Sequence, residues 1–289
     1  MELTDRIEQP LIDALNRVQV SGCPPRLAEA MRYSVFPGGA RIRPRLCLAV
    51  AQACGKVDAT CADAAAASVE LMHCASLIHD DLPCFDDAEM RRGKAAVHVA
   101  YGQRIAVLAG DALIVLAFQT LARGMAHAPE RLATVSRVLG RSVGMPFGIV
   151  AGQAWECEPE ISLEDYQRAK TGALFAAATV TGAASAGMDP EPWRTLGEKL
   201  GEAYQVADDL RDVVGDPSDM GKPANQDALH GRPSAALSYG VEGATERLEK
   251  LVEAAIDSIP DCPGQEALRK NISVEAWRFL SRALTRRAA

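Results

Sequence analysis

Apolar residues recur at three- and four-residue intervals along most of the chain, the period that turns one face of an α-helix toward a core. Segments with this period run through 41–54, 58–80, 102–125, 128–142, 162–187, 190–213, 233–258 and 264–284. None of them shows the period-two alternation of a half-buried strand. Pro24-Pro25 opens a further helix, and Pro37-Gly38-Gly39 marks a tight turn. Asp189-Pro190, Asp216-Pro217, Lys222-Pro223 and Cys262-Pro263-Gly264 read as connectors. No internal repeat or Ser/Pro-rich linker divides the sequence, so the pattern predicts one all-α domain over 1–289, a large helical bundle.

Composition agrees with that picture. Apolar residues make up 48% of the 289 and charged residues 24%, a balance that excludes disorder as the main state. Aromatics are only 5%, and alanine runs at 64–67 and 176–178 favour close-packed helices over sheet. The net charge of −7 argues against a nucleic acid or an anionic membrane as partner, so an anionic substrate needs local basic groups or bridging cations. Eight cysteines form no C-x-x-C pair, which removes support for thiolate metal sites and points to reduced thiols. The charged start MELTDRIEQP lacks an apolar signal core, and the chain is expected in the cytoplasm. Residues 171–188 carry no charge, but their Ala, Gly, Thr and Ser content suits a buried helix better than a transmembrane segment.

The chemistry concentrates in two acidic clusters. HDDLPCFDDAEMRRG (79–93) sets Asp80, Asp81, Asp86 and Asp87 within eight residues, beside an apolar run. Crowded carboxylates raise each other's pKa unless a cation intervenes. Pro83 should interrupt the helix and let the chain fold back, so that Asp86 or Asp87 rejoins Asp80. Hard oxygen ligands of this kind suit Mg2+ completed by substrate phosphates, and Arg91 and Arg92 follow with guanidinium forks that match phosphate oxygens. A solvated acidic turn is the plain alternative for one such run. YQVADDLRDVVGD (204–216) repeats the theme with Asp208, Asp209 and Asp212 among Val206, Ala207, Leu210 and Val213. Asp208 and Asp212 are i and i+4, which puts both carboxylates on one helix face. Two such clusters could grip one diphosphate from opposite sides through bridging Mg2+. A basic turn, Gly38-Gly39-Ala40-Arg41-Ile42-Arg43-Pro44, adds Arg41 and Arg43 near a helix start, a weak signal alone, as is Lys170-Thr171-Gly172.

Together these stretches resemble the trans-isoprenyl diphosphate synthases. The resemblance runs from about Val35 to Leu237 with every motif in family order: GGARIRP, ASLIHDDLPCFDDAEMRRG, VLAGDAL (107–113), AGQ (151–153), KTGALF (170–175) and YQVADDLRDVVGD. It implies an isoprenoid-synthase bundle around a central apolar cavity, a homodimer, and Mg2+-dependent condensation of isopentenyl diphosphate with an allylic diphosphate. It further implies that Asp80, Asp81, Asp86, Asp208, Asp209 and Asp212 serve as metal ligands. Arg91, with Lys170, Lys222 and Arg232, would contact diphosphate, while Arg43, His73 and Arg92 would hold that of isopentenyl diphosphate. Lys170, Thr171 and Gln205 would face the allylic cation. Taken without the motif, His73 on an apolar helix would be a core histidine.

Product length is read from the helix before the first Asp motif. Ala75, five positions before Asp80, removes the aromatic floor that the resemblance places there in fifteen-carbon enzymes, with Ser76 beside it and Met72, Leu71 and Ser68 farther along. One helical turn spans about 5.4 Å, roughly one isoprene unit, so the expected product has twenty carbons. The alternatives are a fifteen-carbon synthase or a non-catalytic partner subunit. Four departures from the family pattern bear on the latter: Ala40 in place of Lys, Asn225-Gln226, Arg232 and Glu156.

Overall fold

The computed structural model describes residues 2–36, 38–55, 57–160, 166, 168–214 and 235–284, with side chains except at 212, 214, 237 and 276–284. Within them run α1 (Leu3–Val18), α2 (Pro25–Val35), α3 (Ile42–Ala53), α4 (Ala59–Asp80), β1 (Met90–Arg91), β2 (Lys94–Ala95), α5 (Val97–Tyr101), α6 (Gln103–Gly124), α7 (Pro129–Val143), α8 (Ile149–Trp155), α9 (Ala173–Ser185), α10 (Arg194–Val214), α11 (Ala235–Asp257) and α12 (Gln265–Leu284). The fold is all-α, as the periodicity predicts, and most helix ends fall within a few residues of the expected ones; α9 is the exception, starting at Ala173 where the pattern runs from 162. The features that escape the pattern are α1, whose buried Ile7, Leu11, Ala14 and Leu15 follow a helical stripe through Pro10, the short helices α5 and α8, and the two-residue antiparallel pair β1–β2.

The chain divides into two compact units, Met1–Gly140 with Ala177–Pro190 and Arg141–Ala176 with Glu191–Ala289. In the first, α4 is the central helix, packed against α6, α3 and α1. Asp58 caps it, its carboxylate accepting from the Cys61 N–H at 3.1 Å, and the alanine-rich sequence that follows costs little side-chain entropy in a helix. By length and composition both α4 and α6 could cross a membrane, yet 78% of the apolar window of α4 is buried, as in the core helix of a bundle, against 44% for α6. The outer face of α6 leaves Leu108, Val115 and Phe118 exposed.

In the second unit, α10 packs on α11, α12 and a π-helical turn, Arg168–Gly172, which α8 also touches. Ala203, Val206, Ala207 and Leu210 of α10 meet Ala244, Leu248 and Leu251 of α11 in one apolar cluster. Helix α9, inside the uncharged 171–188 stretch, is a buried helix.

Candidate active site

The first acidic cluster forms where α4 ends. The helix stops at Asp80, and beyond Pro83 the chain turns back so that the Asp86 N–H donates to the Asp80 carbonyl at 3.0 Å. The Asp87 N–H closes a second loop on the Leu82 carbonyl at 3.1 Å, with Asp87 in the left-handed region at φ 47°. Asp80 and Asp86 end half-buried. Asp81, one residue on, turns inward and is 2% exposed. Arg91 meets it with Nε, 3.0 Å from Oδ1 and 3.2 Å from Oδ2, and with Nη2 on Oδ1. Burial pushes the Asp81 carboxyl above the ordinary range, opposed by the Arg91 hydrogen bond and charge. Burial works against the Arg91 charge too, but Asp81, then Asp80 and Asp86, hold it more firmly protonated.

The β1–β2 hairpin aims the two arginines. Its turn, Arg92-Gly93, has φ of 53° and 75°, the pair of left-handed residues that a two-residue hairpin requires. Arg91 thereby reaches Asp81, while Arg92 Nη2 lies 3.4 Å from His73 Nε2. Arg43 Nη1 approaches the same nitrogen at 3.3 Å. Arginine can only donate, so Nε2 accepts and the ring is neutral. Burial, then the charges of Arg43, Arg92, Arg91 and Arg41, hold its pKa well below the usual histidine value. Two guanidinium groups thus converge on one uncharged ring, and Arg92 Nη1 is buried without a hydrogen-bond partner among the described residues. That is the chemistry of an anion site.

Arg41 is a different case and corrects the sequence reading that gave it to an anion. It is buried at φ 51°, bonded to Glu8 at 2.8 Å, Glu70 at 2.5 Å and the Val35 carbonyl at 2.8 Å, so its charge is spent inside the fold. The Gly38-Gly39 pair has a matching reason. A Cβ at Gly38 would overlap the Arg41 guanidinium, and one at Gly39 would crowd Arg92 at 3.0 Å, so the glycines make room for arginine side chains. Gly110, in the VLAGDAL motif, does the same for His79: a Cβ there would overlap the imidazole, which lies 3.2 Å from the Val107 carbonyl.

The second cluster is built along α10 in the other unit. Asp209 is 1% exposed. It accepts from Gln205 Nε2 at 2.8 Å and from the Ala235 N–H at the start of α11 at 2.7 Å. Thr171 Oγ1 donates to Gln205 Oε1 at 2.8 Å, which ties the π-helical turn into the same chain of bonds. Asp208 is half-buried and accepts from Arg211 at 2.7 Å. Lys170, on the same turn, is held by Glu156, which also accepts from Tyr166 at 2.6 Å and Gln153 at 3.0 Å. Glu156, a departure from the family pattern, is therefore the hub that fixes Lys170, and sequence reasoning did not assign it that part. A Cβ at Gly152 would overlap the backbone of Lys170, which gives the AGQ stretch its own packing reason.

Lys222, Asn225, Gln226 and Arg232 lie outside the described residues, as does the side chain of Asp212. Ala75, Met72 and Leu71 are fully buried in α4, and half-buried Ser76 donates to the His73 carbonyl at 2.9 Å. Ser68 donates to the Ala117 carbonyl of α6 at 2.9 Å and His79 touches α6 at Val107. Ala75 stands two turns beyond Ser68 and one before His79, along the α4–α6 seam.

Residues 24–268 match the polyprenyl synthetase family. The chain is 54% identical over 272 residues to the geranylgeranyl diphosphate synthase of Cereibacter sphaeroides, covering 94% of each. It is 48% identical over 280 residues to that of Rhodobacter capsulatus, covering 97% of each. Among solved structures it resembles a Helicobacter pylori geranyltransferase complexed with magnesium and isoprenyl diphosphate, with a TM-score of 0.81, 27% identity and coverage of 95% and 96%. The chain belongs to the polyprenyl synthetase family.

Proposed function

We propose that this trans-prenyltransferase is a geranylgeranyl diphosphate synthase, which condenses isopentenyl diphosphate with allylic diphosphates up to twenty carbons and releases pyrophosphate. The observation that carries the reading is the repeated acidic pair, each with one sealed carboxylate bonded into the fold and one half-buried neighbour beside it. Hard carboxylate oxygens suit Mg2+; the residues assigned to it are Asp80 and Asp86 at the folded-back turn and, on resemblance, Asp208 and Asp212 of α10. Asp81 and Asp209, counted with the ligands by resemblance, act as braces that set the direction of their neighbours. When bound, Mg2+ supplies the positive charge that stabilises a departing pyrophosphate.

The remaining work falls to the chain. Arg43, Arg92 and His73 take the diphosphate of isopentenyl diphosphate, the ring orienting the two guanidinium groups. Arg91 adds charge beside Asp80 and Asp86, and Lys222 and Arg232 are assigned to phosphate on resemblance. The allylic C–O bond breaks with its electron pair leaving on pyrophosphate, the isopentenyl double bond attacks the allylic carbon, and a proton passes to pyrophosphate. Thr171 and Gln205 offer oxygen dipoles to the cation, with Lys170 set beside them by Glu156. Apolar helices keep water from it. The whole chain, 1–289, serves as one synthase unit in the cytoplasm. It pairs as a homodimer, a reading supported by the exposed Leu108, Val115 and Phe118 of α6.

The test is a product assay with dimethylallyl, geranyl and farnesyl diphosphate as starters, Mg2+ and an Asp80→Ala control. A twenty-carbon alcohol after phosphatase treatment, absent in the control, is the expected result. No elongation from any starter would replace this reading with the partner-subunit one. Ala75→Phe, which sets a ring into the α4–α6 seam, is expected to stop the product at fifteen carbons.

A further inference from the structure

A second group of metal-ligating side chains sits at the opposite end of α4 from Asp80. Helix α4 has 22 residues, about 33 Å at 1.5 Å per residue, so this group is remote from the first acidic cluster. Asp58 caps the helix, Cys61 lies in its first turn, and His127 comes from the turn after α6. One ligand atom from each falls within 4.8 Å of the other two. His127 Nε2 is 2.7 Å from Asp58 Oδ2 and 3.7 Å from Cys61 Sγ.

The detail that matters is that both partners approach the same ring nitrogen. A nucleophile–histidine–acid relay uses the two nitrogens separately, Nδ1 toward the acid and Nε2 toward the nucleophile. Here a thiol and a carboxylate converge on Nε2, and the point between the three atoms is where one cation would be shared. Tetrahedral zinc, with bonds near 2.0–2.3 Å, needs ligand separations of about 3.3 Å for N and O and about 3.6 Å for S and N. The S···N distance already meets that. The N···O gap opens by a small rotation of His127, whose side chain is 54% exposed.

We propose that Asp58, Cys61 and His127 form a binding site for a zinc-class divalent cation, with water as the fourth ligand. Thiolate and imidazole select such a cation over Mg2+. On binding, Cys61 gives up its thiol proton to solvent, and the imidazole carries its proton on Nδ1 so that the Nε2 lone pair reaches the metal. The Cys61 N–H, donating to Asp58 Oδ1 at 3.1 Å, holds the carboxylate at the helix end beside the other two ligands. Arg131 Nη1, 3.6 Å from Asp58, competes for it and has a second partner in the Ser185 carbonyl at 3.1 Å. The site would tie the start of α4 to the turn after α6, where a Cβ on Gly124 would overlap that of Ala64.

Co2+ titration of the full chain in excess Mg2+ tests this, since Mg2+ holds the all-oxygen clusters and only a thiolate site gives a sulfur-to-cobalt charge-transfer band. One band at 1:1 stoichiometry is expected, with a thermal shift of about 3–6 °C at saturation. Cys61→Ser should abolish the band, and His127→Gln, a change at an exposed side chain, should weaken Co2+ binding at least about tenfold. No band in the wild type overturns the proposal. So does a band that survives Cys61→Ser, or one whose affinity His127→Gln leaves unchanged.

Discussion

The two acidic pairs solve one problem with different chemistry. Asp81 and Asp209 are equally sealed, yet Asp81 is met by a guanidinium delivered from a hairpin ten residues on, while the bonds seen at Asp209 include the Gln205 amide and the Ala235 N–H. A buried carboxylate needs compensation, and an ion pair supplies it strongly only while both partners remain. Neutral hydrogen bonds supply less and lose less when one is removed. On these bonds the first pair is expected to be the more brittle support and the second the more graded one.

The largest effects should separate the members within each pair. Asp80→Asn and Asp208→Asn are each expected to lower kcat about a thousandfold while leaving Tm within about 2 °C, because they remove charge from diphosphate activation and little from the core. Steady-state kinetics beside calorimetry checks this. If either variant instead melts early with near-normal kcat, the division between ligand and brace is wrong for that pair. Next in size comes the contrast between braces. Arg91→Ala leaves Asp81 buried beside a lost cation and should cost about 2–4 kcal/mol, less than a fully enclosed pair because Arg91 is partly exposed. The double variant Asp81→Asn/Arg91→Ala should recover much of that loss in denaturant titrations.

Much of this was legible in the sequence, and the part that was not has a common cause. Helical period located α3, α4, α6, α7 and α10 to α12, Pro24-Pro25 marked the start of α2, and Pro83 with four aspartates foretold the fold-back onto Asp80, since all of these rest on neighbours in the chain. What stayed hidden depends on partners far away. Arg41 reads as an anion-binding arginine until Glu8 and Glu70 are seen to hold it, and Glu70 is 29 positions on. Asp81 and Asp80 are indistinguishable in the motif, because inward and outward directions at a helix end are set by the following turn. His127 carried no signal at all: spacing rules look for ligands close in sequence, and Cys61 lies 66 residues before it.

The second brace can be loosened by one hydrogen bond. Gln205→Leu removes the amide that joins Thr171 to Asp209 but leaves the Ala235 N–H in place. A cost of about 1–2 kcal/mol is expected, clearly below that of Arg91→Ala. Equal costs for the two would show that the charge on the first brace confers no special brittleness.

The smallest lever is pH, and it acts through the charged brace. The folded pKa of Asp81 is raised above its ordinary 3.8, chiefly by burial. Between 3.8 and that raised value the folded chain keeps a proton that the unfolded chain has released, so stability falls as pH rises through the window and the penalty is complete above it. His73 has the opposite sense: its depressed pKa makes the unfolded chain the better proton acceptor below 6.5, so stability falls as pH falls there. Comparing the wild type with Asp81→Asn cancels the His73 contribution and leaves that of Asp81. As pH is lowered toward 4, wild-type stability should rise relative to Asp81→Asn, read from urea midpoints at each pH. A difference that is flat, or that moves the other way, would mean that Arg91 rather than burial governs Asp81, and that the first brace is an ion pair strong enough to outweigh its own desolvation.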